Sequence, residues 1–482
     1  MQERIASIPV VGWVFSLIAA KPLDRLGLLT LLSSLYYFQI WGFMLFDGGS
    51  WPANYHVKIA LMALCCVGVV LPRLYHVLLI NSLVFAAAYM INAPIASNNQ
   101  TTAFFVSVVL LIGAVVALVQ NRGSGESWRD EIFRTISGPG RYLLAIMYFY
   151  GIYHKINVDF LDADVSCAVV LYELLAVDIG LENWWLGQQS AIYSTFIIEA
   201  IAMILLFSPR YKRIGMLVGI PFHIIIGWTG YAYYKDFSTI VLVMYAMFMP
   251  REAFTAAFRD LSDRVGGPVI AAWLGRIALA AVFVGYLLLA GAHRGGAELV
   301  PTHEEFVWLF TLYGFVFYAF AVAYTPWHPS QDEAPVVIRP AWLAIIPILF
   351  FLNGLSPYLG LKTEASIAMY SNLHTEDGQT NHLLHGQLPI AAGYQNDVVH
   401  PISSNAEWFD NTFIGGGLSL VRFEFDRILS LHPDLVVTFR HEGVEKSSAE
   451  GWVNSYDNAS FIERGFLTFK PIDYARPKVC TH

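Results

Sequence analysis

Charge is what this chain of 482 residues has least of: 14% are Asp, Glu, Lys or Arg, against roughly a quarter in a soluble globular protein. With 56% hydrophobic residues and a mean hydropathy of +0.52, that shortage excludes an ordinary soluble domain. Other absences narrow the choice further. The chain has no internal repeat and no low-complexity tract. It has no basic patch interleaved with aromatics, so nucleic acid is not an expected partner. Cysteine is scarce, at four residues. Cys65 and Cys66 fall in an apolar run and read as buried thiols. Cys167 and Cys480 fall on one predicted side, where a disulfide between them and two free thiols both remain open. A strong metal pattern is lacking too. His374, His382 and His385 stand near Glu376 and Asp377, but their spacing matches no zinc signature, so no metal is expected. Gly415–Gly416–Gly417 lacks the Lys-Ser/Thr that a phosphate loop needs and reads as a turn.

Apolar runs are abundant. Stretches able to cross about 30 Å of hydrocarbon lie at 26–46, 57–72, 74–93, 102–120, 141–157, 190–207, 214–232, 237–249, 270–290, 305–325 and 341–356. The expected fold is an all-α polytopic membrane protein of about nine to eleven transmembrane helices, carrying a small, mostly β C-terminal domain outside the membrane. Short loops rich in Lys and Arg stay on the cytoplasmic side. Placing the N-terminus there gathers about fifteen basic residues on that face (Arg73, Arg134, Arg141, Lys212, Arg251 and Arg339 among them), against about three on the other (Lys58, Lys235, Arg294).

Three regions result. Residues 1–25 form an interfacial segment on the cytoplasmic face, preferred over a signal peptide because the apolar run is short and Lys21 and Arg25 follow it. Residues 26–356 form the helical core. Residues 357–482 form the extracytoplasmic domain, where "SLVRFEFDRILSL" and "PDLVVTFR" alternate with period two and read as strands. The net charge of −8 comes largely from that outer portion and from the acidic residues between Asp159 and Glu182, and reflects topology rather than a cationic partner.

Ionisable side chains in hydrocarbon are costly and are default site candidates. Four qualify: His154 and Lys155 in "YFYGIYHKINVDFL", Glu199, and His223. At about 1.5 Å per residue, Glu199 and His223 lie level on antiparallel neighbours and are expected to hydrogen-bond. Lys155 stands about 20 Å above Arg141, sharing a helix face with Tyr148, Gly151 and Asp159. It either snorkels to the surface, pairs with Asp159 at i+4, or serves as a base, since a desolvated amine gives up its proton more readily. His154 points about 100° away.

These residues carry a resemblance. "YFYGIYHKINVDFL" resembles the segment Y-F-x-A-G-x-K-K-L-D-A-D-W of the vitamin K-dependent γ-glutamyl carboxylases and of the bacterial membrane proteins that share their core, the horizontally transferred transmembrane (HTTM) domain. "AAKPLDRLGLL" resembles the K-P-T-D-x-x-x-L stretch before the first span. Glu199, a basic turn and the Phe222–His223 pair resemble the family's E…R-x-R…F-H pattern. "FFLNGLSPYLGLKTEASIAMYSNLHTEDGQTNHLL" resembles the segment after the last span. The likeness covers roughly residues 20–390, with the HTTM-like core at about 20–260.

The resemblance implies a lysine base, Lys155, that deprotonates a vitamin K or menaquinone-type quinol. The quinol would then react with O2, in the carboxylases driving CO2 addition to a glutamate of a peptide or protein substrate. It implies Asn99 and Gln100, with Tyr148 and Gly151, as the substrate-holding set, and Glu199, His223 and Asp159 in support. The departures are specific. Gln100 replaces a quinol-presenting histidine, and glutamine hydrogen-bonds but takes no proton. His154 replaces the first lysine and Phe160 the tryptophan, while the outer domain is much smaller than in the animal enzymes. The competing reading is a non-catalytic membrane protein that binds lipid or peptide, or transports a solute, on the same scaffold.

Overall fold

The computed structural model describes residues 22–46, 55–94, 96–120, 126–229, 234–293, 303–327, 336–368, 370–385, 388, 392–475 and 477–480. The expected interfacial segment at the N-terminus lies almost wholly outside the described residues. The helices are α1 (Arg25–Phe46), α2 (Tyr55–Val70), α3 (Tyr75–Asn92), α4 (Asn98–Gln120), α5 (Glu126–Tyr153), α6 (Cys167–Ala176), α7 (Trp185–Leu206), α8 (Lys212–Trp228), α9 (Tyr234–Ala246), α10 (Arg251–Val265), α11 (Pro268–His293), α12 (His303–Tyr324) and α13 (Ile345–Leu355). A helix stands at each segment expected to cross the bilayer. Among the described residues, six are long and apolar enough to do so: Tyr75–Asn92, Asn98–Gln120, Trp185–Leu206, Pro268–Leu289, Glu305–Tyr324 and Ala341–Leu359. They make the chain consistent with an integral multi-pass membrane protein.

Among these thirteen, α6 and α10 were not expected. α6 is short, its N-terminus capped by the Ser166 side chain. α10 follows α9 across a 95° bend and is amphipathic, burying Ala253 and Phe254 while arginines and acids fill its other face.

The chain divides into two compact units. One comprises the chain up to Ala88 with Ala103–Ala145 and Ile201–Pro347; the other comprises Tyr89–Thr102, Ile146–Ala200 and everything from Ile348. In the first unit, α1 is nearly all buried from Leu26 to Gly42, with Tyr36, Tyr37 and Trp41 fully enclosed. Two of the three find polar partners inside: Trp41 Nε1 donates to Asn81 Oδ1 at 3.2 Å, and Tyr37 bonds Ser82 and Ser107, while the Tyr36 hydroxyl has no hydrogen-bond partner among the described residues. A β-carbon on Gly68 of α2 would meet Ser34 Oγ of α1 at 2.1 Å. That is the small-residue contact through which helices approach closely in lipid.

In the second unit, α5 stops at Tyr153 because Asn157 takes over the backbone there. Asn157 Nδ2 donates to His154 O at 2.8 Å and Ser371 O at 2.5 Å, and its Oδ1 accepts from Phe160 N at 2.8 Å. Such local side-chain bonds compete with helix continuation. Beyond α13, the tail carries an antiparallel sheet of five short strands, β1 (Val398–Ser404), β2 (Leu418–Val421), β3 (Val437–His441), β4 (Val444–Ser447) and β5 (Ile472–Asp473), in the order β4-β3-β1-β2-β5. The expected mostly β domain is thus a small sheet set in helical and irregular chain.

Part of the expected strand pattern is corrected outright. "RFEFDRILSL" is a helix, α14 (Arg422–Leu431). Its alternating Phe423 and Phe425 enter two different apolar clusters, one around Val421 and Phe469 and the other around Phe409 and Phe439. Charge pairs at helical spacing, Arg427–Glu424 and Arg422–Asp426, reinforce it. β3 keeps the expected alternation, with Val437, Phe439 and His441 inward.

Candidate functional site

Because α5 ends at Tyr153, Lys155 sits just past the helix rather than on it, and the i+4 spacing to Asp159 has no helix to act through. Asp159 is occupied elsewhere. Its Oδ2 accepts from Asn381 Nδ2 at 2.6 Å and its Oδ1 from the Lys478 backbone at 3.2 Å. Lys155 Nζ instead donates to Glu199 Oε1 on α7 at 2.7 Å, with 9% and 8% of the two side chains exposed. The Phe160 ring lies 5.7 Å from Nζ and meets Phe196 edge to face. An ammonium over an aromatic face gains further electrostatic support.

Glu199 has a second feature. Its Oε2 is buried and has no hydrogen-bond partner among the described residues, and it rests against Gly151 of α5, where a β-carbon would stand 2.6 Å away. The carboxylate lies this close because position 151 has no side chain, and a methyl group there would make the end of the Glu199 side chain shift. Tyr148, one turn earlier, is fully buried. The expectation from depth paired Glu199 with His223, whereas the hydrogen bond that its Oε1 accepts comes from Lys155. His223 belongs to the first unit, where its ring meets Phe222 and Phe237 edge to face.

Asn99 and Gln100 stand at the start of α4, in the second unit, and are engaged in capping it. Ser97 Oγ meets Asn99 Oδ1 and the Gln100 backbone, while Gln100 Oε1 accepts from Ser97 N at 3.2 Å. This is the Ser-x-x-Gln capping box, a signal present in "SNNQ". Neither residue hydrogen-bonds Lys155 among the described residues.

No family model, no curated protein and no solved structure matches this chain.

His154 is fully buried and engaged: Nδ1 bonds Tyr358 OH at 2.9 Å, and its ring stacks with Tyr150 and Tyr358. Around Tyr153, His382 Nε2 donates to the Tyr153 carbonyl at 3.0 Å, and Tyr153 OH bonds His385. Sequence reasoning missed this imidazole and tyrosine cluster because its members come from segments about 230 residues apart. His374 pairs with Glu376 at 3.8 Å. Burial pulls the His374 imidazole below its ordinary range, and the Glu376 carboxylate opposes the pull. Burial also lowers His382, with its bond to Tyr153 O opposing. No cluster of three metal-ligating side chains forms among the described residues.

The segment from Asn157 to Cys167 is tied to the chain's end. Cys167 and Cys480 form a disulfide, and Asn372 Nδ2 bonds both Val165 O and Lys478 O at 3.0 Å. What the arrangement can do chemically is hold and move one proton in a dry place. A Lys–Glu pair has a donor and an acceptor side by side, and Glu199 Oε2 adds a second acceptor with no partner among the described residues.

Proposed function

We propose that the protein is an integral membrane enzyme in which Lys155 acts as base on a quinol-type lipid-soluble substrate, with O2 as oxidant. CO2 enters only if the reaction extends to carboxylation. The observation that carries this reading is the buried Lys155–Glu199 pair whose Glu199 Oε2 has no partner. A quinol supplies an acidic O–H and two electrons. Lys155 takes the proton at Nζ, and the carboxylate at 2.7 Å gives that proton a second resting place, so the amine can return to its basic form. Gly151, which carries no side chain, lets the Glu199 carboxylate lie against α5 beside the amine. The resemblance to the carboxylase-like membrane proteins supports the substrate class. In the same reading the further apolar helices also cross the bilayer, the N-terminus is cytoplasmic and the tail is extracytoplasmic.

One observation favours a second reading. Lys155 is already bonded to Glu199, and an interhelical clamp needs nothing more; the protein would then bind lipid or peptide, or transport a solute, without catalysis. Membranes carrying the parent or Lys155→Met, supplied with menaquinone-type quinol and O2, separate the two. The enzyme reading expects quinone epoxide from the parent and at least a hundredfold less from the variant, in line with the usual worth of a positioned base, about 10²–10⁴. No epoxide from the parent, or equal amounts from both, leaves the clamp.

A further inference from the structure

Wholly inside the first unit lies a cavity of about 370 Å³, within the range of small-ligand pockets, roughly 300–1,000 Å³. Its walls carry six cationic side chains, Arg25, Arg134, Arg141, Lys212, Arg251 and Arg339, against three carboxylates, Asp130, Glu131 and Glu252. The carboxylates do not balance the excess. Asp130 is shared between Arg25 at 2.8 Å and Arg251 at 3.1 Å, and Glu131 faces Arg134 at 3.5 Å. Arg141 donates Nε to a neutral carbonyl, Met247 O, at 2.8 Å. Six cations against three carboxylates leave the lining with a net positive charge, and a concave surface of one sign focuses its field on a ligand of the other.

The guanidinium groups are also held in place before any ligand arrives. Arg25 lies over the Phe133 ring at 4.6 Å and Arg141 over the Phe248 ring at 5.1 Å. Arg25 Nε is buried with no hydrogen-bond partner among the described residues. Planar, oriented guanidinium forks match the oxygen geometry of a phosphate. The N-terminus of α10 adds to the site: Pro250 caps it with no side-chain hydrogen bond, and Pro250, Arg251 and Glu252 line the cavity. Gly138 contributes space, since a β-carbon there would meet Val337 O at 2.9 Å, so the segment carrying Arg339 can lie against α5. The cavity opens beside an amphipathic helix set at 95° to its predecessor, the disposition of a helix lying in a membrane interface. Basic pockets among membrane helices commonly take lipid headgroups.

We propose that this cavity is a binding site for a phosphate-ester anion, presented either by the headgroup of an anionic phospholipid or by a soluble phosphate. The test uses the full chain purified in neutral detergent, with thermal unfolding followed against added phosphatidylglycerol, phosphatidylcholine or inorganic phosphate, since a ligand of the folded state raises the midpoint by mass action. Phosphatidylglycerol is expected to raise it in a saturable way and phosphatidylcholine not to. The variant Arg134→Gln/Arg251→Gln, both side chains more than half exposed and so replaceable without loss of the fold, is expected to need at least about tenfold more lipid for the same effect. Protection by inorganic phosphate, competing with the lipid, assigns the site to a soluble phosphate; its failure to protect assigns it to the headgroup. Equal protection by both lipids, protection undiminished in the variant, or no protection by any of the three overturns the proposal.

Discussion

Glu199 Oε2 rests against the bare Cα of Gly151, 2.6 Å from where a β-carbon would stand. Glycine at this position is a condition for the carboxylate's placement, and the placement sets where Lys155 points. Gly151→Ala should push Glu199 away and loosen the pair, costing about 1–3 kcal/mol by overpacking. Activity, if the enzyme reading holds, should fall with it. A thermal midpoint and epoxide yield equal to the parent's would show that α5 and α7 yield more easily than the contact suggests.

The pair should also show strong non-additivity. Removing one partner strands a buried charge, so Lys155→Met or Glu199→Leu alone is expected to destabilise by about 3–5 kcal/mol, while the double variant should recover most of the loss. Unfolding measured for all four proteins completes the cycle. Additive losses would mean that the two charges are independently solvated.

Asp426 presents a different buried carboxylate. It is fully enclosed and accepts from Trp452 Nε1 at 2.6 Å, from Ser455 N at 2.7 Å and from Ser455 Oγ at 2.6 Å. Asp426→Ala leaves those donors without an acceptor and should cost about 3 kcal/mol or more, read as a lower midpoint and faster proteolysis of the tail. Asp426→Asn, which keeps an acceptor oxygen, should lose less.

Acid should weaken the second unit in a defined window. His374 and His382 are held below the ordinary imidazole value of 6.5 by burial, so the unfolded chain binds more protons than the folded one as pH drops through that value. Their contribution is complete above 6.5 and declines as pH falls. The midpoint is expected to fall between pH 7 and pH 5, and His374→Gln/His382→Gln should flatten the slope. A midpoint that rises toward pH 5 would reverse the assignment.

Much of this was legible in the sequence. The apolar runs marked each of the six described helices long and apolar enough to cross a membrane, because hydrocarbon length sets a run length that composition displays directly. Lys155 and Glu199 stood out singly, as charges where charges are costly. Their pairing did not, since rise per residue ranks side chains by depth, while the neighbours of each helix are decided by packing. Gln100 shows the opposite case. Its capping role was written in "SNNQ", yet its place in a family-like motif drew attention to a ligand. In "RFEFDRILSL" four residues of alternation outweighed the i+3 and i+4 charge pairs, because two phenylalanines directed into separate clusters imitate one strand face.

Cys167 and Cys480, 313 residues apart, make the intervening chain a closed ring. A backbone cut anywhere within that ring leaves one covalent molecule, and its fragments separate only under reducing conditions. The ring also holds the Lys155 side of the structure to the end of the tail, so severing an exposed loop of the tail would not by itself release the segment that carries the candidate base.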